Sequence, residues 1–408
     1  MELTPSSIWI VASAALVLFM TPGLAFFYGG LVKAKSVISM IMMSFGSIAL
    51  IGVLWILYGY MIYTGAGGDG EYFEGAAVLI PGFAGNPFAG FGLTAPGIDL
   101  IDVAFGSTFA IITVALISGA IADRAKFGAW LVFAGVWATL SYFPVAGWVW
   151  GGGWIQSWTI GDYAVIDLAG GTAVHINAGA AALALALVLG KRIGFQKGIH
   201  QPHNVPFVVL GASILWFGWF GFNTGLSGDQ EGLGLSFLNT IGAPAAAVLG
   251  WLIVEKLKDG KATSVGAASG AVAGLVAITP AAGNLTPGWA LVLGAIAGAV
   301  AALAIELKWK LGYDDSLDVV GIHLVAGLIG TIFLGFAATD AGLFYTGDFS
   351  QLVLQTVSAV AVALYSFVIA FAVGFAIEKT IGFRVKNEDE LAGVDTVVHG
   401  ETGYTLAN

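Results

Sequence analysis

Cysteine is absent from the 408 residues. That removes disulfides, thiolate metal sites and cysteine nucleophiles, and leaves the redox compartment unread. Charge is scarce as well, with 10% of residues Asp, Glu, Lys or Arg against roughly 25% in an ordinary soluble domain. The net charge of −10 offers no basic footprint for nucleic acid. HExxH, P-loop and GxSxG patterns do not occur, so metal hydrolysis, nucleotide hydrolysis and acyl transfer find no support. Zinc would need more ligands than the two histidines with one or two acids evidently bring together. The composition points away from an enzyme, and no cofactor or metal is expected. No lysine or arginine precedes the first apolar run, whose only early charge is Glu2. That run therefore reads as a retained first span, not a cleaved signal peptide.

Apolar residues, in contrast, make up 58% of the chain, and 60 residues are glycine. Apolar runs of about 20 residues recur from end to end, each long enough to cross a bilayer as a helix. Small residues suit closely packed membrane helices. The expected fold is an all-α polytopic membrane protein with eleven transmembrane helices, at 6–30, 36–63, 100–122, 127–149, 166–190, 206–226, 233–256, 263–281, 287–305, 317–339 and 351–380. Under this assignment all 15 Lys and Arg residues fall on one side, after spans one, three, five, seven, nine and eleven. The positive-inside rule then places the N-terminus outside and the C-terminus in the cytoplasm. The chain divides into a transmembrane domain, 1–380, and a cytoplasmic tail, 381–408.

His175 and His323 lie in the middle of apolar stretches, in spans five and ten. Ionisable residues in such stretches are rare and face a bundle interior, a cavity or a permeation path. If spans 1–5 and 6–10 are equivalent units, the odd number of spans in each makes the second enter from the opposite side. This is an inverted five-helix repeat with its site near the midplane, and the eleventh helix stands outside it. Two neutral imidazoles that share one hydrogen bond still keep one outer donor and one outer acceptor, which suits a small solute that does both. The competing readings are two core histidines bonded to backbone carbonyls, and a pair of haem ligands. The matching positions weigh against the first, and the second has no other support. Asp167 and Asp318 precede the histidines and read mainly as braces at helix starts. His200, His203 and His399 read as solvated.

Phe105 and Phe109 share one face of span three, Trp148 and Trp150 end span four, and Trp216, Trp219, Phe220 and Phe222 lie in span six. Most membrane aromatics are packing or interface residues. A subset lining a pore would attract a cation stripped of water and close a narrow passage to hydrated ions.

Several long segments, in order, resemble the Amt/Mep/Rh ammonium transporters, and specifically the Amt branch. They are PGLAFFYGGLVKAKS (22–36), FGSTFAIITVALISGAIADR (105–124), SYFPVAGWVWGGG (141–153), DLAGGTAVHINAG (167–179), WFGFNTG (219–225), ITPAAG (278–283), DVVGIHLVAGLIG (318–330) and VKNEDELAGVDTVVHGETGY (385–404). The resemblance implies ammonium or ammonia as substrate, with methylammonium as a candidate surrogate. It also implies a multi-pass protein of the cell membrane and a homotrimer with one pore per subunit. Trp150 and Phe109 resemble the wall of an outer recruitment site, with Asp167 as its indirect support. Phe109 and Phe222 resemble a stacked phenyl gate, and His175 and His323 resemble the twin histidines of the pore. Tyr28, Tyr142 and Thr279 fall in motifs that border the path. The tail match implies an ordered arm that reaches a neighbouring subunit and works with a PII-type signal protein. One departure stands out. The family's recruitment site usually carries a serine after FNxG, whereas here FNTG is followed by Leu226, with Ser227 one place later. Recruitment could then use Ser227, use aromatic faces and waters, or be weak, and an ammonium sensor of the same fold stays open as the alternative.

Overall fold

The computed structural model describes residues 4–67, 78–95, 97–195 and 201–404; Lys197 and His200 fall outside them. Among the described residues, ten helices are long and apolar enough to cross a membrane. In chain order we label them α1 (Pro5–Leu31), α2 (Val37–Thr64), α3 (Leu100–Ile121), α4 (Phe127–Ser157), α5 (Gly171–Leu189), α6 (Val205–Thr224), α7 (Gln230–Asp259), α9 (Pro287–Leu311), α10 (Val320–Ala337) and α11 (Ser350–Thr380). The eighth expected span is a shorter apolar helix, α8 (Ser264–Ile278). Its 15 residues reach about 22 Å at 1.5 Å per residue, less than the roughly 30 Å of a bilayer core. A run of turns at 279–285 follows.

Helix starts follow local chemistry. Thr4, Asp99, Asn204, Asp229, Thr263 and Thr286 each accept a hydrogen bond from a backbone N–H in the first turn of the helix they precede. Prolines stand in the first positions of α1, α6 and α9, where the missing N–H costs nothing. Small residues set the helix spacing. A Cβ on Gly298 of α9 would sit 2.0 Å from the Ala247 carbonyl oxygen of α7, so only glycine permits that approach.

Packing comes in matching sets. α1 packs on α2 and α3, as α6 packs on α7 and α8. α2 packs on α3 and α4, as α7 packs on α8 and α9. α1 lies along α6, and α11 lies along α5.

The loops sort into two ends. At one end, Asn204 N–H donates to the Gly30 carbonyl and Arg124 donates to the Asp314 carbonyl. There Arg192 binds both Asp123, at 3.0 Å, and Asp314, at 2.8 Å, while Lys258 at the end of α7 pairs with Glu306 near the end of α9. Burial pushes the fully enclosed Arg124 guanidinium down to about 10. At the other end, Leu168 N–H donates to the Pro280 carbonyl and Thr339 N–H to the Asn284 carbonyl.

The tail folds back on the basic end. A short helix, α12 (Asn387–Ala392), is followed by a wide turn, Asp395–His399. Asp395 accepts from the N–H groups of Ile38 and Ser39 at the start of α2, at 3.0 and 2.8 Å. Glu390 holds Arg384 and the Ile193 N–H. Two histidines read as solvated are engaged instead. His203 binds the Val32 carbonyl at 2.7 Å and the Tyr404 hydroxyl at 2.8 Å. His399 packs edge-on against Phe127, with ring centroids 5.4 Å apart. These partners, Val32, Tyr404 and Phe127, stand far along the chain from the histidines they meet, so local polarity gave no sign of them.

Candidate functional site

The site starts from two helix beginnings. α5 and α10 both open with a widened turn, Gly171–Ile176 and Val320–Val325, and each carries one of the two histidines. Such turns leave backbone groups partly unpaired and are frequent at functional sites. Asp167 braces the first: Oδ1 accepts from the N–H groups of Gly170 and Gly171, and Oδ2 from those of Thr172 and Ala173, at 2.7–3.2 Å. The expected second brace, Asp318, does not do this. It adopts a left-handed backbone, φ +64°, and pairs with Lys308. Asp315 does the work instead, with Oδ2 accepting from the Val320 N–H at 2.7 Å. Asp315 precedes His323 by eight residues, just as Asp167 precedes His175. That equal spacing was the available signal. Asp315 is fully buried, and burial together with the charge of Asp318 raises its carboxyl to about 6.

The rings meet between these starts. Nδ1 of His175 lies 3.3 Å from Nδ1 of His323, and both side chains are 2% exposed. One ring must donate and the other accept, which leaves one Nε2 a donor and the other an acceptor. Nε2 of His175 is buried with no hydrogen-bond partner among the described residues. The helices can approach this closely because Gly179 of α5 faces the backbone of Leu324, and a Cβ there would stand 2.5 Å from the Leu324 nitrogen. On the other side His175 stacks on Trp219, centroids 5.4 Å apart, and Trp219 donates to the Thr279 hydroxyl at 2.8 Å.

Beside the histidines, Phe109 of α3 and Phe222 of α6 are stacked, with centroids 4.1 Å apart and planes 14° from parallel. Phe222 borders two cavities. The first, about 310 Å³, also takes lining from Trp55, Tyr63, Phe105, Phe109, Tyr142, Trp150 and Leu226. The second, about 10 Å³, is lined by His175, His323, Trp219, Ile112, Leu116 and other apolar side chains. That volume is near the minimum for one water-sized molecule. Trp150 meets Phe109 edge-on at 6.0 Å and donates its N–H to the Asp167 carbonyl at 2.8 Å. A third cavity, about 270 Å³, opens at the basic end beside Lys308, Ser316 and Asp318.

All six site residues named from the sequence thus line these two cavities or, for Asp167, bond to a residue that does. Leu226 lines the outer cavity, and Ser227 is not among its described lining residues. Tyr142 lines it too, while Tyr28 is buried with its hydroxyl donating to the Leu116 carbonyl at 2.9 Å. Asp102, which the sequence reading passed over, also lines this cavity. Among the described residues no group of three or more His, Asp or Glu could hold a metal.

Residues 8–404 match the Ammonium Transporter Family. The chain belongs to that family. A Mycobacterium tuberculosis protein named ammonium transporter is 50% identical over 432 residues, spanning 98% of this chain and 90% of its own. The crystal structure of Candida albicans Mep2 superposes with a TM-score of 0.84 at 30% identity, covering 94% of this chain and 87% of that one. A solved structure described as a sensor Amt protein gives 0.86 at 26% identity, covering 97% and 98%. This ammonium transporter family member is therefore a multi-pass membrane protein, from a family of transporters and not of enzymes.

Proposed function

We propose that this chain conducts ammonium inward through a path that accepts the cation and passes ammonia. The observation that carries the reading is the pair of cavities divided by the Phe109–Phe222 stack, with the histidines on the tight side. Ammonium gathers in the outer cavity against Trp150 and Phe109, whose faces attract a cation once water is shed. Asp167 supports the wall indirectly, since its two oxygens already serve four backbone N–H groups. Burying a bare cation in an apolar space is costly, so the proton leaves near the stack and ammonia crosses beside His175 and His323. Potassium has no proton to lose and is rejected. The proton follows by a separate or shared route, which makes the import electrogenic.

The same proposal includes eleven crossings with the N-terminus outside and the basic end in the cytoplasm. The hydrogen bonds that join the α8–α9 turns to the loops before α5 and after α10 support α8 as a crossing helix. The matching packing of α1–α5 and α6–α10 supports an inverted repeat. A homotrimer, a tail that reaches a neighbouring subunit and a PII-type partner at the cytoplasmic face complete it. The second reading is a sensor that binds ammonium but conducts little, favoured by the likeness to a sensor Amt protein. A current from proteoliposomes after an ammonium jump separates them. Transport gives an ammonium-specific current that decays faster as protein density rises, while a density-independent transient would mean binding alone.

A further inference from the structure

The outer cavity of a cation path should hold something that favours a cation over a neutral solute, and in this chain position 226 supplies only a leucine. Among the described residues that line the cavity, Asp102 is the single charged side chain. It stands in the first turn of α3, three residues before Phe105 and seven before Phe109. Residues at that spacing share a helix face, so the carboxylate lies about 10 Å along the face from the gate ring. It is half-buried, and Tyr60 of α2 donates a hydrogen bond to its Oδ2 at 3.0 Å. The α3 N-terminus has its own cap in Asp99, which accepts from the Ile101 N–H at 2.8 Å. Asp102 is thus not needed to close the helix end, and its side chain is turned across to α2 and the cavity. An ionised carboxylate offers about four acceptor positions, and one tyrosine hydroxyl leaves room for more.

We propose that Asp102 is a positioning and specificity residue for ammonium in the outer cavity, taking over the part that a hydroxyl at 226 would play. This rests on the proposed function of the site, and it adds a residue and a mechanism to it. Attraction comes from one fixed negative charge facing a cage of Trp55, Tyr63, Phe105 and Trp150, not from a short hydroxyl contact. Such attraction acts over several ångströms and weakens as salt screens it.

The test compares the unaltered protein with Asp102→Asn, Asp102→Glu and the double variant Asp102→Asn/Leu226→Ser. Two readouts are taken, ammonium-evoked current in proteoliposomes and the ammonium-induced rise in melting temperature in detergent. Asp102→Asn should raise the half-saturating ammonium concentration about tenfold in both, equal to ~1.4 kcal/mol, with the maximal current kept. Asp102→Glu should recover most of the affinity, and Leu226→Ser should recover part of it without any charge at 102. The gap between Asp102→Asn and the unaltered protein should narrow as ionic strength rises. Unchanged half-saturation in Asp102→Asn would overturn the proposal. A fall in melting temperature without ammonium, with Asp102→Glu failing to rescue, would overturn it in favour of a purely structural carboxylate. If the unaltered protein binds ammonium but passes no current, transport fails, and the melting readout still decides the role of Asp102.

Discussion

At the scale of single residues, two acids eight positions ahead of two histidines brace the turns that seat them. Asp167→Ala would leave four backbone N–H groups without their acceptor, and unsatisfied buried donors cost about 1–3 kcal/mol each before relaxation. We expect a loss of roughly 3 kcal/mol or more, read as a lower melting temperature in detergent, with Asp167→Asn intermediate because one oxygen remains. Asp315 gives a pH signature. Its folded carboxyl is raised to about 6 from an ordinary 3.8. Its contribution is therefore most favourable below pH ~4 and is lost as pH rises through about 6, by on the order of 1–3 kcal/mol. Melting of the unaltered protein should fall between pH 4 and 7.5 relative to Asp315→Asn, and parallel curves would contradict this. The histidines were legible because a polar ring in an apolar run is conspicuous. Asp315 was not, because it stands outside that run and its effect depends on burial, which composition does not report. Asp102 was missed although its spacing puts it on the face of Phe105 and Phe109, because only the folded structure shows that this face lines a cavity.

At the scale of elements, apolar length located all eleven helices, and the eighth, Ser264–Ile278, is shorter than the other ten. α8 is built mainly from glycine, alanine and valine and stops at Ile278, where a run of turns follows. Hydropathy measures apolar run length and registers helix and turn alike, so it merged the two. The widened turns that seat the histidines were equally invisible, since apolar run length does not report which backbone groups pair. The tail shows the limit of reading polarity. Composition alone reads it as unstructured, and its order comes from tertiary capping of α2 by Asp395. Asp395→Ala should cost about 1 kcal/mol, as for other helix caps, and expose the tail to limited proteolysis while the membrane part stays resistant. An unchanged digestion pattern would show that Glu390, Arg384 and Tyr404 hold the tail without it.

At the scale of the whole molecule, the account requires eleven crossings and one guarded path. The cysteine-free chain allows a clean topology test with single cysteines at Lys261, Gly288 and Asp340. A Cβ at Gly288 meets open space, so that substitution carries little strain. An impermeant thiol reagent should label Gly288→Cys and Asp340→Cys in intact cells and Lys261→Cys only after the membrane is opened. Labelling of 261 and 288 from the same side would remove α8 as a crossing helix and the inverted repeat with it. The central claim is that the tight histidine cavity forces ammonium to cross without its proton. The most direct measurement is the current evoked by ammonium and by potassium in proteoliposomes holding the unaltered protein, His175→Ala or His323→Ala. The account predicts current with ammonium only in the unaltered protein, and loss of that selectivity with potassium admitted once either ring is removed and the cavity widens. Equal rates and equal ammonium-over-potassium selectivity in all three would contradict it.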